Sequence, residues 1–163
     1  MKSRIKLLVF ALFFAASLQS NAQVSGSDYR NIVASLFPDL NLENKILFIN
    51  VWQSANIDSR ENNKEFLRVS NIYKEAKLKN GLKGVTFINL SIDKDTYMWM
   101  ISIKKDGIVS EYNLENSTGK YDSLAKLFGD YPGNVVVGND ATIIAKDIKK
   151  ENCFKTFSSL ITR

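Results

Sequence analysis

Histidine is absent from the 163-residue sequence, cysteine occurs once, at Cys153, and proline occurs twice. Without imidazole, serine and cysteine triads that use a histidine base are excluded, as are zinc sites built on imidazole or paired thiolates. A lone cysteine cannot close an internal disulfide. Charge of one sign is also lacking, because 22 basic residues are interspersed with 17 acidic ones, as in Lys146-Asp147-Ile148-Lys149-Lys150-Glu151. That pattern is a solvated mixed surface rather than a nucleic-acid stripe, and no nucleic-acid partner is expected.

Long apolar runs are missing too. The stretch Leu7 to Ala16 follows the basic Lys2, Arg4 and Lys6 and precedes the small-residue segment Ser20-Asn21-Ala22. It falls well short of the roughly 20 residues needed to span a bilayer, so residues 1–22 read as a secretory signal peptide. Cleavage would take three cations with it and lower the formal charge from +5 to +2. The expected product is periplasmic or secreted, with no stable membrane insertion.

The remaining chain reads as a short N-terminal extension, 23–44, and one domain, 45–163. A helix is expected from Asp28 to Phe37, stopping before Pro38. Ile46 to Trp52 is a continuous apolar run with the composition of a central strand covered on both faces. After a polar stretch from Gln53 to Asn63, Phe66, Val69, Tyr73 and Ala76 recur at helical spacing, with Lys79-Asn80-Gly81 as a stop. Val85 to Ile92 predicts a second strand. Asp93-Lys94-Asp95 then caps a helix through Tyr97, Trp99, Ile101 and Ile103 that ends at Gly107.

Ile108 to Gly119 reads as a connection, and Tyr121 to Phe128 as a short helix. Val135 to Val137 and Thr142 to Ala145 flank a Gly138-Asn139-Asp140 turn and predict a β-hairpin. A final helix places Phe154, Phe157, Leu160 and Ile161 on one stripe. Alternating strands and helices closing on a hairpin predict an α/β fold, a mixed central sheet with helices on both faces.

From Lys45 to Asp147, three signatures in order resemble exported thioredoxin-like proteins of the TlpA and ResA type. The strand Leu47 to Trp52 is similar to the family's apolar strand ending in Asn, an apolar residue and Trp. Val85 to Asp93, with Trp99 six residues on, resembles the second parallel strand and the tryptophan beyond it. Tyr131-Pro132 before an apolar strand matches the place of the family's cis-proline, which faces the active site. The family's two redox cysteines fall at Asn56 and Ser59 here, followed by Arg60, and its acidic residue three places later is Asn62.

The resemblance implies a thioredoxin-like fold around a degenerate site that cannot perform dithiol exchange, since both steps of that exchange need sulfur. It implies a pseudoenzyme of the redoxin family, without cofactor or metal, whose site residues Trp52, Asn56, Ser59, Arg60, Tyr131 and Pro132 bind a protein or peptide. The alternative is a thiol-dependent redox protein acting through Cys153 or a partner. The residues also have plain structural readings. Asp58 and Glu61 stand at capping-box spacing, and Asn56 or Ser59 can satisfy free amides at a helix start. Trp52, Trp99, Phe154 and Phe157 read as core, Cys153 as a small buried hydrophobe, and Asp93, Asp95, Glu111 and Glu115 as solvated turn acids.

Overall fold

The strand β1, Ile46–Trp52, has all seven residues buried and lies at the centre of a five-stranded sheet. In the computed structural model, which describes residues 23–161, the strand order is β3-β2-β1-β4-β5. The expected signal peptide, 1–22, lies outside the described residues. β2, Val85–Ser91, and β3, Tyr112–Glu115, run parallel to β1, while β4, Gly133–Val137, pairs antiparallel to β1 and to β5, Ile143–Lys146. The sheet is therefore mixed.

Alternation along β1 divides the core in two. Leu47, Ile49 and Val51 join a cluster with Tyr29, Val33, Ile88, Leu90 and Leu124 on the face of α1, Gly26–Leu36, and α4, Asp122–Lys126. Ile46 and Phe48 point the other way, into a cluster with Phe66, Tyr73, Cys153 and Phe157 from α2, Ile57–Tyr73, and α5, Lys150–Ser158. α3, Thr96–Asp106, connects β2 to β3. Among the described residues, both clusters are built from residues 24–160.

Several boundaries differ from the expected ones, each for a local reason. α1 begins earlier than Asp28, because Ser25 and Asp28 form a reciprocal capping box, with Ser25 N–H donating to Asp28 at 2.7 Å. A side chain on Gly26 would meet the Ala141 carbonyl oxygen at 1.9 Å, so the helix start is fitted against the hairpin. From residues 23–44, Tyr29, Val33 and Leu42 are buried in the cluster on the α1 face of the sheet. α2 starts at Ile57, inside the polar stretch, and stops at Tyr73; Lys79–Gly81 is a separate 3₁₀ turn. Gly107 ends α3 in the left-handed conformation at φ 66°.

β3 occupies part of the expected connection. It is a half-buried edge strand whose sequence lacks a continuous apolar run. α5 ends at Ser158, so Leu160 and Ile161 leave the expected stripe, and Phe154 is 46% exposed rather than core. Trp99 is half-buried, whereas Trp52 and Phe157 are fully buried.

Candidate functional site

The start of α2 and the turn before β4 meet at the C-terminal end of β1. Asn56 is the N-cap of α2, its side-chain oxygen accepting from the Ser59 amide at 2.9 Å. Ser59 is buried and donates its hydroxyl to the carbonyls of Asn56 at 2.9 Å and Gln53 at 3.0 Å. The cap therefore comes from Asn56. No capping box joins Asp58 to Glu61, whose carboxylate pairs instead with Lys150.

Asp93 holds the preceding loop in place. It is 4% exposed and so not a solvated turn acid; its carboxylate accepts from the Ser54 amide at 3.0 Å, the Ser54 hydroxyl at 2.7 Å and the Ser91 hydroxyl at 2.6 Å. Three donors replace the water this carboxylate gives up. Asp95, by contrast, is the exposed cap of α3, bonded to the Tyr97 amide.

Asn56, Ser59, Pro132 and Gly133 line one open cleft of about 200 Å³. Its lining includes Asn50, expected within the first strand, and Asn134, which precedes the expected strand Val135 to Val137. Both are buried and directly paired between β1 and β4. The signal was available for Asn50, an amide inside an apolar strand, whereas Asn134 enters β4 only because that strand starts at Gly133. Asp58, Asn62, Asp147 and Lys149 complete the polar walls.

Other expected site residues lie elsewhere. Trp52 is completely buried and Tyr131 is 74% exposed, next to Pro132 but outside the lining. Arg60 turns away to α3, where its guanidinium makes two bonds to Asp106, at 2.6 and 2.7 Å. Those bonds hold the Asp106 carboxyl below its usual range, against the opposing effect of burial. Pro132 is preceded by a trans peptide bond, as are all described residues. Chain reversal is carried just upstream, by Gly129 and Asp130 at positive φ.

Three solved structures are similar to this chain in fold. A thioredoxin-like protein from Parabacteroides distasonis shares 17% identity at a TM-score of 0.56, over 70% of this chain and 80% of its own. The thioredoxin domain of a thiol-disulfide oxidoreductase from Bacteroides vulgatus shares 18% at 0.57, over 74% and 82%. A thiol-disulfide oxidoreductase from Bacteroides fragilis shares 27% at 0.54, over 72% and 82%. The fold is thioredoxin-like. No family model and no curated protein matches the chain.

A thioredoxin-like fold with one cysteine has no redox pair. Cys153 does not substitute for it: the side chain is fully buried on α5 among aromatic residues, and burial pushes its thiol up to about 12. A nucleophilic or redox-active cysteine needs a thiolate and access, and Cys153 has neither. Among the described residues, no group of acidic or cysteine side chains is arranged to hold a metal ion.

Proposed function

We propose that this chain is an exported, non-catalytic binding module that receives a segment of another protein in the cleft between the start of α2 and the Pro132 turn. The observation that carries the reading is the convergence of Asn56, Ser59, Pro132 and Gly133 on one open cleft. Cap and strand hydrogen bonds keep that cleft in shape without sulfur chemistry. Its walls offer amide, carboxylate and ammonium groups, which suit the main chain and polar side chains of a peptide. Tyr131, exposed beside it, supplies an aromatic anchor.

The test is selection of binding peptides from a random library, followed by mapping the best of them on the protein by amide chemical shifts. Perturbations should cluster at Asn56, Ser59, Gly133 and Asn134, and Tyr131→Ala should weaken binding about tenfold. Perturbations confined to another face would remove the cleft from consideration. In parallel, the protein should leave insulin disulfides intact in the presence of a dithiol reductant. Reduction at the rate of an ordinary thioredoxin would defeat the non-catalytic reading.

A further inference from the structure

We propose that the outer face of α3 is a peripheral docking surface for an anionic lipid bilayer, independent of the cleft. A surface helix normally turns its apolar side inward. α3 turns Trp99 and Ile103, both half-buried, toward the core, but it also carries a row of apolar side chains outward. Ser102 is its buried residue, while Tyr97, Met98, Met100 and Ile101 are 62%, 45%, 48% and 40% exposed. At about 100° per residue, Tyr97, Ile101 and Lys104 share the centre of the outward face, with Met100 on one flank and Lys105 and Met98 on the other. Val109, just beyond the helix, is 82% exposed.

Charge decides the occupant. Lys94, Lys104 and Lys105 are exposed and make no ion pair among the described residues. Of the acids nearby, Asp106 is paired with Arg60 and Lys64 and Glu111 with Lys74, while Asp95, which caps the helix, and Glu115, which accepts from the Thr96 hydroxyl, are in no ion pair among the described residues, so three lysines face two such acids. An apolar ridge bordered by free ammonium groups matches the boundary between anionic headgroups and acyl chains, with the lysine stems lying along the apolar surface. A second copy fits poorly. Parallel α3 helices would oppose Lys104 and Lys105 to themselves.

The chain from Gln23 to Arg163 is mixed with vesicles of phosphatidylcholine alone or of phosphatidylcholine with phosphatidylglycerol, and bound protein is measured by flotation. Binding should favour the anionic vesicles and decline with added salt. Replacing Lys94, Lys104 and Lys105 together with Gln should weaken it by about a hundredfold, at roughly fivefold per lysine. The Tyr97→Glu/Ile101→Glu variant should not float, with an unchanged circular dichroism spectrum and melting temperature because both positions are exposed. Failure of the parent chain to bind anionic vesicles overturns the proposal, as does equal flotation of the folded Tyr97→Glu/Ile101→Glu variant. A dimer dispersed by Ile101→Glu, in a parent that ignores both vesicles, would assign the face to a second copy.

Discussion

Asn56 and Cys153 show how the same residue types that end one chemistry can sustain a structure. Asn56 occupies the first redox position of the resemblance, and what it does here is cap α2. Asn56→Ala should cost about 1 kcal/mol in urea unfolding, while Asn56→Asp, which keeps the acceptor and adds charge at the positive helix end, should be neutral or better. Equal stability of all three proteins would deny the cap its role. Cys153 predicts a pH dependence. Its thiol ionises near 9.0 when exposed and only near 12 when folded, so the buried thiol's contribution to stability is complete below pH 9. Between those limits the unfolded state sheds its proton first. Relative to Cys153→Ala, the parent should then lose about 1.4 kcal/mol per pH unit between 9 and 12. Parallel stability profiles for the two proteins in that range would contradict the assignment.

At the scale of elements, asparagines stand at one register across four strands, and side-chain bonds link three of them. Asn134, Asn50, Asn89 and Asn113 are successive neighbours across β4, β1, β2 and β3. The Asn50 amide donates to Asn89 and the Asn89 amide to Asn113, each at 2.9 Å. Asn134 closes the row by exchanging two bonds with the Ile148 backbone. A one-residue slip would move each amide to the other face, so the row favours a single register. Asn89→Ala removes both side-chain bonds at a fully buried position and should destabilise by about 2–3 kcal/mol, read from denaturant melts. A loss below half a kcal/mol would show that the row carries no weight. The central strands were legible from sequence because they are buried on both faces and continuously apolar. β3 was not: Asn113 and Glu115 alternate with Tyr112 and Leu114 in a half-buried edge. α3 was legible as a helix, but its orientation is set by the sheet and neighbouring helices, which no periodicity reports.

For the molecule as a whole, the order of strands and helices other than β3 was readable because strand composition, Gly107 and the hairpin turn are local signals. The site was readable in part: Asn56, Ser59 and Pro132 meet, whereas Trp52 and Arg60 are diverted into the core and onto Asp106 by contacts distant in sequence. The same long-range dependence governs the N-terminus. Tyr29, Val33 and Leu42 are buried in the cluster beneath β1, and the Arg30 guanidinium binds the carbonyls of Leu42, Lys45 and Gly138. Three buried side chains at roughly 2 kcal/mol each amount to a large part of the 5–15 kcal/mol that holds a typical domain together. A chain beginning at Lys45 should therefore fail to fold cooperatively, with a weak near-ultraviolet circular dichroism signal and strong binding of a hydrophobic dye, whereas the chain from Gln23 melts sharply. Sharp melting of the shorter chain within a few degrees of the longer one would mean that α1 only covers a core already sufficient without it.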